Sequence, residues 1–503
     1  MKNLIEIASV VTKKKVRKIE IFDDNTLRTK NSKFNEFYED LTNGLYKNDR
    51  DAASKLYNCS PQDPRYRQLK SRFRKRLLNT LFFLDVNKPS ASNFDRANFT
   101  CHKEWALVKI LLDNEAQQSA ISLAKSILTM ALNFKISEVV VNCARLLRED
   151  AAASNLKKEF EEYDDLLKKY ELILQAEIRS EELYQRVVMD YYQPDYEDNH
   201  LLENIESYSN LLLSLSETYD SPQVFYNMFL VWAMRYEIAG EYEPLIDVCD
   251  QAEQYMATYP EYYQEEKLID FYIKKMSAYL HLGNYNKGQI NAEKCLQRFP
   301  AGSKTWFTFM EYYLLLALHT EHFIQALAIY NQTVSHKQFV KQDSRFRDKW
   351  ILLEVVIYFS LQKTEMVKRL VASKRRQAFS PESFIAQAFN FGADQKMLSV
   401  YIAFMQVLFL LDKRKYEGAD EKIEYLQLMA NRNLHKLEYH RPIQFIRLLL
   451  QVKKANYSRD ELKNTEKYLT RLSEKPFNYR GVVTQFEPIK LEVLWGVLLD
   501  KLA

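Results

Sequence analysis

Few side chains in this sequence combine the residue types and spacing that chemistry demands. His319-Thr320-Glu321-His322 comes nearest to a metal motif, because two histidines three apart on a helix share a face. No third ligand accompanies them, and they fall where two helices should turn, so no metal site is assigned. His435 and His440, five apart, are a weaker pair of the same kind. The acid pairs Glu161-Glu162 and Glu181-Glu182 have the residue type of general acid–base catalysis. They lie in a long charged helical pattern with nothing to enclose them. There is no phosphate-binding glycine loop, no nucleophile elbow and no HExxH. Cys59, Cys101, Cys143, Cys249 and Cys295 are far apart with no CxxC, which reads as small apolar thiols in a reducing compartment. The chain is therefore expected to be non-enzymatic, with no catalytic, cofactor-binding or metal residues.

Charge is the sharper signal. Arg65, Arg67, Lys70, Arg72, Arg74, Lys75 and Arg76 put seven cations within twelve residues. Residues 51–57 (DAASKLY), a turn over Asn58 to Asp63 and this basic helix loosely resemble a helix-turn-helix. In that reading Arg65, Arg67 and Lys70 lie near a major groove and the other cations contact phosphate. The plain alternative is a solvated or acid-paired face, or a helix docked on an acidic part of the same chain. Lys13-Lys14-Lys15 with Arg17-Lys18 forms a second, shorter cluster. Lys374-Arg375-Arg376, near Arg369, sits at a helix end before Ser380-Pro381, where cations satisfy terminal carbonyls. The net charge of +4 conceals zones: +9 over 1–90, neutral over 91–150, −19 over 151–270 and +14 over 271–503. Such zones steer charged partners or self-association, or simply solvate outer faces.

The elements that carry these residues are helices. The 503-residue chain has only 9 glycines and 12 prolines, too few for a fold rich in tight hairpins between strands. Its 33 Tyr and 29 Phe supply large apolar groups to join helix pairs. The length exceeds one compact core, so repeat stacking or several helical subdomains must absorb it. No apolar run approaches about 20 residues, and the start puts its apolar part before its basic part, the wrong order for a secretory signal. A cytoplasmic protein without a membrane partner is expected.

Residues 1–90 read as a basic helical module, with helices over Asn3 to Phe22, Ser32 to Tyr46, Arg50 to Tyr57 and Pro64 to Leu84. Tyr66, Leu69, Phe73, Leu77, Leu81 and Leu84 make the buried stripe of the last. Lys88 to Thr100 is the expected linker. Residues 101–200 hold three helices up to Asp150 and then an acidic spine from Asn155 to Gln193, either one helix or a coiled-coil-like element. Residues 201–474 are expected to be helical hairpins. Over 475–503, a loop (KPFNYRGVVTQFEP) leads to a capping helix from Ile489 to Leu502, with Leu491, Leu494, Trp495, Leu498 and Leu499 on its apolar face.

The hairpins have a recurring pattern. Gly283, Asn284 and Tyr285 form a turn into a second helix, Gly288 and Cys295 are its small positions, and Pro300 closes the unit fifteen residues after Tyr285. Tyr272 and Tyr279 fill the aromatic positions of the first helix. One unit earlier, Ala233, Tyr236, Gly240, Tyr242, Ala252 and Pro260 fit; one later, Leu314, Phe323, Ala326 and Tyr330 fit, with His319 and Thr320 replacing the glycine turn. Tyr416, Ala419 and Leu426 repeat the second-helix theme. The aromatics are spaced by 43 residues from Tyr242 to Tyr285 and 38 from Tyr285 to Phe323, against a period of about 34 in tetratricopeptide repeats. The pattern resembles that family, in longer and degenerate units, over about residues 225–335. The fold expected is all-α, a tetratricopeptide-like α-solenoid with an N-terminal helical module and a long spine helix. The resemblance implies a groove for extended or helical peptides, with Phe271, Tyr272, Trp306, Phe309, Tyr312 and Tyr313 as candidate lining; each could instead fill the core. The function expected is a scaffold or adaptor binding a protein or peptide. The alternative is a regulator with a DNA-binding N-terminal module and a peptide- or protein-sensing repeat domain, a layout similar in outline to peptide-responsive bacterial transcription regulators.

Overall fold

The computed structural model describes residues 33–46, 48–81, 93–191, 198–259, 265–361, 381–386, 395–434 and 439–502. The helix expected over Asn3 to Phe22, the lysine cluster within it, Lys374-Arg375-Arg376 and His435 lie outside them. Among the described residues every regular element is helical. The chain divides into two compact units, Met1–Tyr170 and Glu171–Ala503.

In the first unit, α1 (Lys33–Thr42), α2 (Asp49–Tyr57) and α3 (Pro64–Leu81) enclose an aromatic core of Phe37, Tyr66 and Phe73 with Ala52, Ala53, Leu56 and Leu77. Sequence starts these helices: the Asn48 carboxamide accepts from the Arg50 and Asp51 amides, and Asp63 accepts from the Arg65 amide at 2.9 Å beside Pro64. Then come α4 (Asn93–Asp113), α5 (Gln117–Asn133) and α6 (Ser137–Ala153), each packed on the next. α5 buries Ala120, Ala124 and Ala131, and α6 buries Cys143, Ala144 and Ala151, small residues that suit close helix packing. The expected linker is corrected here: Asn93 to Thr100 is the first part of α4, a continuous helix that buries Ala97 and Cys101. The spine, α7 (Lys157–Tyr191), is one unbroken helix of 35 residues, and the division between units falls inside it.

The second unit continues with α8 (Asp198–Thr218), α9 (Pro222–Ala239), α10 (Tyr242–Thr258), α11 (Glu265–Leu282), α12 (Tyr285–Leu296), α13 (Lys304–His319), α14 (Phe323–Val334) and α15 (Ser344–Leu361). It ends with α16 (Pro381–Ala386), α17 (Lys396–Asp412), α18 (Tyr416–Asn433), α19 (His440–Lys454), α20 (Thr465–Glu474) and α21 (Leu491–Leu499). Helices pack mainly on their sequence neighbours, and α11 packs also on α9 and α13. Two kinds of helix alternate. In α13, 11 of 16 residues are buried, and in α17, 14 of 17, so these first helices are covered on every side. Their partners α10, α14 and α18 bury a single stripe, as with Ala419, Ile423 and Leu426 on α18.

One turn recurs through both units. A residue with positive φ ends the helix, and the next amide donates back five residues: Glu241 to Tyr236, Asn284 to Tyr279, His322 to Ala317 and Lys415 to Leu410. Ala116 to Leu111, Ile136 to Ala131 and Leu156 to Ala151 repeat it in the first unit. This is a Schellman closure, which satisfies the last helical carbonyls. Glycine holds the left-handed position at Gly240 and Gly283, but Glu115, Lys135, Asn155, Glu321 and Arg414 hold it elsewhere.

Candidate functional site

The expected groove is corrected by burial. Phe271, Tyr272, Trp306, Phe309 and Tyr312 are all buried, and Tyr313 is partly buried against the same core. The cause is the all-round packing of the first helices. Phe271 meets Tyr226 edge-on, Phe309 packs on Phe299, Trp306 lies against Phe307 and His336, and the Tyr272 hydroxyl accepts from Arg298 Nη1 at 2.7 Å. These rings hold the hairpins together and present no open apolar lining.

These helices are instead contacted by the stretch read as a loop. Residues 475–490, between α20 and α21, run without regular structure apart from a short 3-10 turn at Val483–Gln485. Phe477 stacks on His281 of α11 and lies against His319 of α13. The Tyr479 amide donates to His281 Nε2 at 3.0 Å, while His281 Nδ1 donates to the Ser277 carbonyl at 2.7 Å. These bonds fix one neutral tautomer, with the ring sandwiched between Tyr242 and Phe477. Burial pushes His281 down to about 4 and His319 to about 3. His319 Nε2 donates to the Glu487 carbonyl at 2.7 Å.

Three ion clusters, each with a buried acid, take the rest of the strap. The Tyr479 hydroxyl donates to Glu311 of α13, which also accepts from Lys349 of α15 at 2.6 Å. Phe486 packs on Tyr479, and the Lys349 ammonium lies 5.5 Å from its ring centre. The Arg480 guanidinium lies over Tyr191 of α7, beside a cluster in which Glu237 accepts from Tyr191, Lys274 and Ser277. Burial opposes the Glu237 charge, but Lys274 and the hydroxyls outweigh it and lower its pKa. Arg441 of α19 forks onto Glu487 at 2.6 and 3.0 Å and onto Glu492 at 2.8 and 3.0 Å. It also donates to the Leu472 and Lys475 carbonyls. The strap is thus contacted by side chains of α7, α11, α13, α15 and α19, and its 3-10 turn packs on α17. Its signal in the sequence was Phe477, Tyr479, Val482, Val483 and Phe486, an apolar density unusual for a solvated loop.

In the first unit the basic cluster separates into two sets. Arg65 pairs with Asp63 at 2.9 Å, Lys70 with Asp49 at 2.6 Å, and Arg76 lies over Phe34. Burial would raise Asp49, but bonds from Lys70 and Tyr66 hold it down at about 2. Arg65 and Lys70, expected near a groove, are therefore engaged internally. Arg67, Arg72, Arg74 and Lys75 are exposed and have no acidic partner among the described residues. At about 100° per residue they span an arc of roughly 160° on α3, a helix that contains no acid.

The remaining candidates are dispersed. His322 stacks on Tyr285 and bonds Thr320, so it is not brought together with His319 on one ion. His440 Nε2 donates to the Arg471 carbonyl at 2.8 Å. Glu182 is bound by Arg179 and Arg186 on the surface of α7. The five cysteines are unpaired, and burial pushes the Cys101 thiol up to about 11 and the Cys143 and Cys295 thiols up to about 12. Among the described residues no three His, Cys, Asp or Glu converge to hold a metal, and no helix is long and apolar enough to cross a membrane. No family model matches this chain, and neither the curated proteins nor the solved structures contain a match.

Proposed function

We propose that this chain is a non-catalytic scaffold or adaptor, built of tetratricopeptide-like hairpins stacked as an α-solenoid, that binds a protein or peptide partner in the cytoplasm. The observation that carries this reading is the strap: a stretch of polypeptide without helix or strand, held against α11, α13 and α15 through both its backbone and its side chains. A surface with that arrangement recognises extended peptides by the same chemistry, with backbone bonds giving affinity and ring contacts giving selectivity. Selection of random displayed peptides on the full chain tests it. Enrichment of a shared aromatic-containing motif, binding at about micromolar Kd, is expected. Recovery of no sequence-selective peptide would remove the reading.

A second reading is favoured by one feature of the first unit, the four unpaired cations of α3. It makes the chain a regulator whose N-terminal module binds nucleic acid. Anisotropy on a labelled duplex across about 50–300 mM salt tests it, because each phosphate contact contributes about 0.9 to the log–log salt slope. Replacing Arg67, Arg72, Arg74 and Lys75 by Ala should flatten that slope. No retention of duplex at the low-salt end would dismiss it.

A further inference from the structure

We propose that the strap from Phe477 to Glu487 is a displaceable internal ligand, which closes the first-helix face of the second unit until an extended partner peptide with an aromatic-x-Tyr pair replaces it. This rests on the preceding reading and adds its regulation.

Three observations carry it. The receiving face is made by residues distant in sequence, with His281, Glu311, His319 and Lys349 lying 130–198 residues before their strap partners. The face is thus built by helices that pack on one another, and the strap reaches it from far along the chain. The contacts have the form of peptide recognition. Side chains on the helices bond strap backbone atoms, as His281 does at the Tyr479 amide and His319 at the Glu487 carbonyl, and the Glu311 carboxylate and Arg441 guanidinium take the side chains of Tyr479 and Glu487. The fit is also incomplete. Asn478 Oδ1 and Thr484 Oγ1 on the strap, and His319 Nδ1 beneath it, are buried without a protein hydrogen-bond partner. Buried polar atoms left unbonded weaken a contact. A competing segment that satisfies them, while keeping the rings at positions 477 and 479 and the acid at 487, would bind the same face more tightly.

Amide hydrogen exchange on the full chain tests the first half. The Tyr479 and Arg480 amides should exchange at least about tenfold faster than those of α13 and α17, through an opening that small amounts of urea leave unchanged. Exchange at the same rate as α13 and α17, rising with urea in step with them, would make the strap an integral part of the core and overturn the proposal. The second half uses a fluorescent peptide of residues 475–490 and the variant Tyr479→Ala/Phe486→Ala. The peptide should bind the variant at least about tenfold more tightly than the unaltered chain. A variant that keeps its helicity but shows no gain overturns the proposal. If the variant loses helicity, the exchange measurement on the unaltered chain decides. Failure here leaves the peptide-binding reading standing if display selection yields binders, so the two outcomes are separable.

Discussion

Arg441→Met offers the most demanding test of how the strap is held. The Arg441 guanidinium is almost fully buried, and so is the Glu487 carboxylate that it forks at 2.6 and 3.0 Å. Burial works against the arginine's charge, and the two carboxylates more than offset it, so its pKa is raised. Burial also raises Glu487, against the pull of Arg441. Methionine keeps the volume but leaves a buried acid without its cation, which costs about 3–5 kcal/mol. The Leu472 carbonyl loses its donor as well, adding about 1–3 kcal/mol. The expected loss at pH 8 is therefore about 4–8 kcal/mol, lessened where Glu487 takes up a proton. That escape sets the pH dependence. In the variant the folded carboxyl titrates above its unfolded value, so its contribution is fully present below the unfolded pKa and is lost as pH rises. Urea unfolding followed by circular dichroism should show a larger deficit at pH 8 than at pH 5. The double variant Arg441→Met/Glu487→Gln should recover part of it at pH 8. A single variant costing under about 1 kcal/mol, or a double variant no better than the single, would refute the reasoning.

The neutral histidines give a second pH effect. With unfolded histidine near 6.5 and the folded groups at about 4 and 3, the unfolded chain binds more protons across that window, so stability falls as pH drops below about 6.5. About 1.6 kcal/mol per histidine should be lost between pH 6.5 and 5, so the total loss is smaller in His319→Gln; an unchanged urea midpoint would contradict this. Trp306→Ala should cost about 3–5 kcal/mol by opening a cavity, and Ala326→Leu about 1–3 kcal/mol by overpacking, both read from the same midpoint; a shift below about 0.5 kcal/mol for either would show the site to be less filled than described. Glu321→Gly, at φ 63, should stabilise by about 0.5–1 kcal/mol in thermal unfolding, whereas a lowered midpoint would mean the left-handed residue carries no strain.

The helical class was legible because it rests on coarse properties: scarce glycine, scarce proline, and apolar steps of three and four. Asp63-Pro64 and Gly283-Asn284 marked helix ends because their chemistry is local. The same turn went unread at Glu115, Lys135 and Arg414, where packing on both sides imposes a left-handed backbone on residues that do not advertise it. Periodicity also cannot say whether the second face of a helix is covered, so Phe271 and Trp306 read as lining when they are core. The strap was the largest miss. Its partners lie in other helices, and no local rule connects Tyr479 with Glu311 or Glu487 with Arg441. For α3 the cluster was visible, but which cations were engaged depended on Asp49 and Phe34, brought in by the tertiary fold.

The sequence distance between Tyr479 and Glu311, 168 residues, sets a schedule for biosynthesis. At about 5–20 residues per second, roughly 8–34 s separate the emergence of the carboxylate from that of the hydroxyl that meets it. Once Lys349 has followed, 38 residues behind Glu311, the two can pair with no tyrosine upon them, and His281 has no backbone amide to receive. The second unit therefore passes through an obligatory open stage on the ribosome, when chaperones and early-arriving partners have access to a surface that the finished molecule conceals.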